Sequence, residues 1–424
     1  MTHIELLPAG GTPQRPAALV YQWPDSPGSS DTMHTDLSWS MAELGEPSGV
    51  AKDLLRVVTA AYLADRTTSR PAQTLHRDLH LSVHLDTPEV WTQAALDGVV
   101  DLLYWLTGDT WTLEVLAAQP TDTPAELATS TDPANTVSLL SGGLDSLCGA
   151  LLRLDQADST LFLGHIDTAN AVSRAQRLVH DRLRARHPGL RYQRFALRPT
   201  TEVRESTPRT RSLLFMAMAI AAASGCGAHD ALVPENGFTS INPPLEPSRG
   251  GPLTTRSTHP WTFYALHGLL SELSLDTIRV SNPHAELTKG ELVAAALGPR
   301  SAEDRELAAV TLSCAKPNAG RPRGGNPNLN CGMCIACLVR RGAFIAANRR
   351  DETTYLVDVL TGDAKQALIH YRRHDIAAWQ YATEAGFDDI RVLASGLWPP
   401  GTNFDNVLAI CRRGLKELRR VPIT

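Results

Sequence analysis

The chain has 424 residues, 43% of them apolar and 20% charged, and a net charge of −5. That composition is the one expected of a soluble globular protein, and the acidic balance argues against a surface built to coat nucleic acid. The length exceeds one ordinary domain and predicts two or three.

Residues 1 to about 135 read as a separate α+β unit. Helical spacing of Leu54, Leu55, Val58 and Leu63 predicts a helix over 53–65. Alternation of Leu79, Leu81, Val83 and Leu85 predicts a half-buried strand. An amphipathic helix follows from Val90 to Leu106, stopped by Gly108-Asp109, and then a strand from Trp111 to Leu116. Residues 119–135 are rich in Thr, Pro, Ala and Asp, without apolar period, and read as a linker. From Val137 the pattern turns to strand and helix in alternation. Strands are predicted at 161–166, 192–197, 231–234 and 277–280, with helices at 171–186, 212–224 and 261–273 between them. Such alternation predicts a parallel sheet with helices on both faces. The Gly-, Pro- and Ser-rich stretch 235–259 follows a strand end and reads as a substrate-facing loop. Beyond Asp351 the chain reads as a helical tail, clearest at 364–372 and 407–419.

The sharpest local signal is Val137-Ser-Leu-Leu-Ser141-Gly142-Gly143-Leu144-Asp145-Ser146. An apolar strand runs into a glycine turn that opens a helix, where backbone N–H groups can converge on an anion. A carboxylate among phosphates is repulsive unless a cation intervenes, so Asp145 reads as a ligand or orienter of Mg²⁺. The six residues Ser141, Gly142, Gly143, Leu144, Asp145 and Ser146 therefore predict an ATP site. They resemble the PP-loop of ATP pyrophosphatases, which cleave between the α and β phosphates; the Gly-x4-Gly-Lys-Ser/Thr of kinases is absent.

Seven cysteines, an odd number with four clustered, favour metal over disulfides. Cys331, Cys334 and Cys337 stand at spacings of three before an expected helix, with Cys314 upstream. Four thiolates close the tetrahedral shell of a structural Zn²⁺. An iron–sulfur cluster, a redox Cys-x-x-Cys and four unlinked thiols are the rival readings. Further on, Thr288 and Glu291 form an expected capping box, leaving Lys289 in the first turn where the helix dipole disfavours a cation. An approaching phosphate would explain it. Arg209 and Arg211 open another helix and raise the same expectation. His165 ends a strand near the place of a nucleotide and reads as a packing residue of open role.

Taken in order, Ser-Gly-Gly-Leu-Asp-Ser, Arg211-Ser-Leu-Leu-Phe215, Leu287-Thr-Lys289-Gly-Glu291, Thr311-Leu-Ser-Cys314 and the three-cysteine run resemble the QueC family, the 7-cyano-7-deazaguanine synthases. The likeness covers about 137–347. It implies an adenine nucleotide alpha hydrolase-like α/β fold over 136–350, flanked by the N-terminal α+β domain (1–135) and a helical extension (351–424). It implies ATP-driven activation of a 7-carboxy-7-deazaguanine-like molecule, an ammonia acceptor, bound Mg²⁺ and a zinc held by Cys314, Cys331, Cys334 and Cys337. Asp145, Lys289 and Arg211 take the family's catalytic positions, and homodimers are the family's usual state. Pro234-Glu235-Asn236-Gly237-Phe238 departs from the family's Asp-Tyr-Ser-Gly-type base-recognition segment. The two extensions resemble enlarged members encoded in antiphage defence operons of the Qat or type IV CBASS kind, and suggest a macromolecular partner whose amine replaces ammonia. The competing functions are sulfur transfer to tRNA and a non-catalytic nucleotide-binding adaptor. A cytoplasmic protein without membrane or nucleic-acid partner is expected, since the start lacks a secretory pattern and the longest apolar run, Leu213 to Ala223, is about half a bilayer span.

Overall fold

In the computed structural model the described residues are 2–119, 133–166, 169–205, 208–249, 254–298, 301–316 and 325–423. Most of the expected linker lies outside them. The strands are β1 (Thr2–Leu7), β2 (Leu19–Gln22), β3 (Gly28–Ser29), β4 (Met33–Thr35), β5 (Asp78–Leu85), β6 (Thr110–Ala117), β7 (Thr136–Leu139), β8 (Thr160–Ile166), β9 (Arg191–Pro199), β10 (Asp230–Leu232) and β11 (Arg279–Ser281).

They form two sheets. The first has the order β2-β1-β5-β6 and is parallel throughout. Helices Gly49–Thr67 and Gln93–Thr107 pack against it. The amphipathic helix expected from Val90 begins at Gln93, after a short 3₁₀ turn at Pro88–Val90. β5 was expected to be half buried; it is buried along nearly its whole length. The segment after β1 crosses the sheet's polar face, where His3 Nδ1 meets the Pro16 carbonyl at 2.6 Å and Gln14 N donates to Glu5 at 2.9 Å. The same Glu5 oxygen accepts from His84 Nε2 at 2.8 Å. Covering that face buries Ser82, paired with His3 and Glu114, and His84, paired through Nε2 with Glu5.

The second sheet has the order β11-β10-β7-β8-β9-β4-β3. Its first five strands are parallel, with helices packed on them, as the alternating pattern predicts. The hairpin β3–β4 then adds antiparallel to β9, so residues 28–35 cross the boundary expected near 135. One apolar cluster also runs from Ile4 and Leu81 through helix Gly49–Thr67 and helix Arg211–Cys226 to Val137 and Leu163. Helix Arg211–Cys226, with its run Ala217-Met-Ala-Ile-Ala-Ala-Ala223, is apolar all round because it lies between the two halves.

Topology fixes the site. The chain runs outward from β7 to β8 and β9, then returns to place β10 on the other flank of β7. The carboxyl ends of β7 and β10 thus border the crevice where open α/β sheets bind ligands. The tail is helical as expected, ending in helix Phe404–Leu418, whose Val407, Leu408, Ile410, Cys411, Gly414, Leu415 and Leu418 form a buried stripe at helical spacing. Among the described residues no helix is long and apolar enough to cross a membrane.

Candidate nucleotide site and metal centre

β7 leads into the turn Ser141–Gly143 and helix Leu144–Leu151. Gly142 adopts φ +84°, and a Cβ there would lie 3.0 Å from the Gln176 backbone nitrogen. Only glycine makes this turn without strain. Ser146 Oγ accepts from Ser141 N at 3.2 Å and donates to the Gly143 carbonyl at 3.0 Å, fixing the loop from within. Gly143 caps the helix without a side chain, which suits a helix start that receives an anion.

Asp145, on the first turn, is almost fully buried. Its Oδ2 accepts from Lys289 Nζ at 2.5 Å and its Oδ1 from Asn236 Nδ2 at 3.0 Å. Asn236 also donates to Glu235 Oε1 at 3.1 Å and caps helix Gly237–Ile241 through Thr239 N. Both residues follow β10 after Val233 and Pro234. Helix Leu144–Leu151 can approach them because Gly149 faces Pro234, whose Cβ would stand 2.6 Å from an added methyl. Three ionisable groups therefore share one pocket. Burial alone would raise the Asp145 carboxyl, but the Lys289 ammonium and its hydrogen bond hold it below the ordinary value. Burial likewise opposes the charge on Lys289, and the Asp145 and Glu235 carboxylates outweigh it and raise the ammonium. Burial and the Asp145 charge push Glu235 well above the ordinary range.

The capping box at Thr288 and Glu291 forms as expected. The reason for a lysine in that first turn is already present in the chain: the Asp145 carboxylate. Arg211 lies elsewhere. Its guanidinium stands 5.2 Å from the centre of the Phe215 ring, which meets His165 edge-on at 5.4 Å. His165 is buried, with Nε2 on the Leu197 carbonyl at 2.9 Å. Gln176 bridges His165 O (3.0 Å) and Ser141 O (3.4 Å), so a chain of contacts through Phe215 and His165 links Arg211 to the turn. Among the described residues no hydrogen bond joins it to the Asp145–Lys289 pair. Arg209 serves the N-terminal half: its backbone N–H, with Thr210 N, donates to buried Asp65 at 2.7 and 3.1 Å.

The Sγ atoms of Cys314, Cys331, Cys334 and Cys337 all lie within 4.8 Å of one another and all four residues are buried. The closest pairs, Cys314–Cys334 and Cys331–Cys337, are 3.9 and 3.8 Å apart. A tetrahedral ion with metal–sulfur bonds of about 2.3 Å sets its ligands about 3.8 Å apart, so the donor set fits one Zn²⁺. Contacts within the cluster lower the Cys331 thiol and raise those of Cys334 and Cys337. Around it, fully buried Arg340 donates to Thr311 Oγ1 (2.7 Å), Ser313 Oγ (3.1 Å), the Ala308 carbonyl (2.7 Å) and Thr353 Oγ1 (2.6 Å). Ser313 in turn accepts from Leu144 N at 3.4 Å, and Leu312 N donates to the Gly142 carbonyl at 2.9 Å. The cysteine centre thus abuts the PP-loop.

A cavity of about 540 Å³ opens next to the Asn236 turn and the cysteine helix (Ile335–Ala346). Phe238 and Thr239 reach it from just beyond Asn236, Ala315 and Lys316 from just beyond Cys314, and Asp375 from the C-terminal extension. Asn242, Pro243, Leu245, Ser248, Thr254 and Thr255 of the expected substrate-facing loop line it as well, and Ile335, Ala336 and Val339 of the cysteine helix complete its wall. No sequence pattern assigned a role to Gln176 or Ser313; Glu235 and Asn236 stood in the segment that departs from the base-recognition pattern, just after the strand expected at 231–234.

A parallel sheet with a PP-loop at its switch point defines an ATP-pyrophosphatase-like α/β fold. No family model matches the chain. It is 29% identical over 164 residues, 37% of its own length, to a 7-cyano-7-deazaguanine synthase of Ralstonia nicotianae. The chain spans 63% of that relative's length, which supports distant QueC-like homology.

Proposed function

We propose that the chain activates a 7-deazaguanine carboxylate with ATP and passes it to an amine, releasing AMP and pyrophosphate. The observation that carries this reading is the buried meeting of Asp145, Lys289, Glu235 and Asn236 across the β7–β10 crevice, beside a cavity of about 540 Å³. The partial likeness to a 7-cyano-7-deazaguanine synthase supports this substrate class. The substrate carboxylate attacks the α-phosphorus, pyrophosphate leaves and an acyl-adenylate forms. The amine then adds to the acyl carbon and AMP leaves with the bond electrons. The PP-loop amides and Lys289 stabilise charge that builds on the departing pyrophosphate. Mg²⁺, when bound with ATP, supplies further positive charge there, and Asp145 is the carboxylate that would hold it. Zn²⁺ in the four-cysteine shell supplies folding energy to 311–347 and steadies the loop through Leu312 and Ser313. The two extensions favour a macromolecular acceptor, and their likeness to enlarged defence-operon members favours a role against phage.

Incubation with ATP, 7-carboxy-7-deazaguanine and either ammonia or candidate proteins, followed by mass spectrometry, tests this. AMP and an amide or nitrile of the deazaguanine are expected, and Asp145→Ala should lose turnover by about 10²-fold or more while remaining folded. ADP as the nucleotide product would overturn the assignment.

A further inference from the structure

Glu417 comes from the last helix, far along the chain from Lys289, yet its carboxylate reaches the turn that carries the lysine. Its Oε1 accepts from Thr288 Oγ1 and its Oε2 from Gly290 N at 2.9 Å, the residues on either side of the lysine. The approach needs glycine twice: a Cβ on Gly290 would fall 2.5 Å from Glu417 Oε1, and one on Gly342 would fall 2.7 Å from the Glu417 carbonyl. Helix Phe404–Leu418 is thereby wedged against both the lysine helix (Lys289–Ala296) and the cysteine helix (Ile335–Ala346). A second tie, Arg413 Nε to Glu291 Oε1 at 2.8 Å, holds the same pair of helices.

The charge count shows why this turn needs support. Lys289 sits at the positive end of its own helix, a position that repels a cation. A carboxylate on the first-turn amide offsets that repulsion and closes the helix end. The ammonium is then left to point at Asp145, its partner at 2.5 Å.

Building on the proposed ATP chemistry, we propose that Glu417 is a positioning residue that holds Lys289 against Asp145 from outside the PP-loop domain. The C-terminal extension is then part of the catalytic apparatus rather than an appendage to it.

The test compares Glu417→Ala, Glu417→Gln and Leu415→Ala in the full chain. Leu415 is buried on the same helix, in the apolar cluster of Leu338 and Val339 rather than that of Leu292 and Val293, so its truncation reports loss of packing. In carboxylate-dependent ATP–pyrophosphate exchange, Glu417→Ala should lose about tenfold in kcat with KM for ATP within about twofold, because only the transition-state contact is blurred. Glu417→Gln should recover most of the rate, since an amide oxygen can still accept from Gly290 N. Leu415→Ala should lower Tm without that selective loss of kcat. A readout independent of turnover is acetylation of Lys289 by acetic anhydride, read by peptide mass spectrometry. Protection should be high in the wild type and in Glu417→Gln, and should fall at least fivefold in Glu417→Ala. Equal protection of Lys289 in wild type and Glu417→Ala, or a rate loss that tracks Tm as in Leu415→Ala, overturns the inference. A wild-type protein that makes no AMP overturns the proposed function instead, and the acetylation result still decides the role of Glu417.

Discussion

Lys289 and Asp145 illustrate how a buried pair can be both costly and necessary. Each is desolvated, and each is held charged by the other. Removing one partner leaves a lone buried charge, whereas removing both leaves none. Lys289→Met is therefore expected to destabilise the protein by about 3–5 kcal/mol, and the double variant Asp145→Asn/Lys289→Met by markedly less, as chemical denaturation would show. If the double variant is as unstable as the sum of the single ones, the two side chains do not form the pair described. The PP-loop residues were readable in the sequence because their pattern is local: a glycine turn between an apolar strand and helix. Their partners were not. Glu235 and Asn236 lie about ninety residues from Asp145 along the chain, and only the return of the sheet at β10 brings them to it.

At the scale of elements, the cysteine centre and the PP-loop form one unit, joined by Leu312 N to Gly142 O and Leu144 N to Ser313 Oγ. Cys334→Ser, or exhaustive chelation, should therefore release 311–347 and weaken ATP binding together. Hydrogen exchange over 311–347 and calorimetric titration with a non-hydrolysable ATP analogue measure the two effects. A metal-free protein that keeps full ATP affinity would falsify the coupling. Metal analysis of the same preparation should give one zinc per chain and no iron.

A second element carries a pH dependence. His259 caps helix Pro260–Glu272, its Nδ1 accepting from Trp261 N at 3.2 Å, between the rings of Trp105 (5.3 Å) and Trp398 (4.6 Å). Burial, aided by the Arg256 charge, lowers its pKa to about 3. The unfolded chain takes up this proton near pH 6.5 and the folded chain does not, so this stability is present above pH 6.5 and is lost as pH falls toward 3. The slope is about 1.4 kcal/mol per pH unit, or about 2 kcal/mol at pH 5. His259→Asn keeps a capping side chain without titrating. It should lose about 2 kcal/mol less than the wild type between pH 7.5 and 5 in urea melts; equal losses would place the acid sensitivity elsewhere.

Considered as a whole, the molecule has halves that are not independent. β4 pairs with β9, and helix Arg211–Cys226 packs its apolar surface against helix Gly49–Thr67 of the N-terminal half. A fragment of residues 136–424 would expose that surface and the free edge of β9. It is expected to be insoluble or to bind a hydrophobic dye, and the full chain is expected to melt in one transition for both halves, read by proteolysis of each. A soluble, dye-negative fragment would show the halves to be separable.

The alternating strands and helices from Val137, the PP-loop and the four cysteines were determined by the sequence alone, because hydrophobic period, glycine turns and short ligand spacings are properties of neighbouring residues. The helical tail was readable for the same reason, through the spacing of Val407, Ile410, Cys411, Leu415 and Leu418. Only the tertiary structure decided that β3 and β4 join the second sheet, that Arg209 serves Asp65, that Glu235 stands beside Asp145 and that Glu417 reaches the lysine turn. Those relations depend on strand order and helix docking between distant segments, where burial and charge compensation select partners that no local pattern encodes.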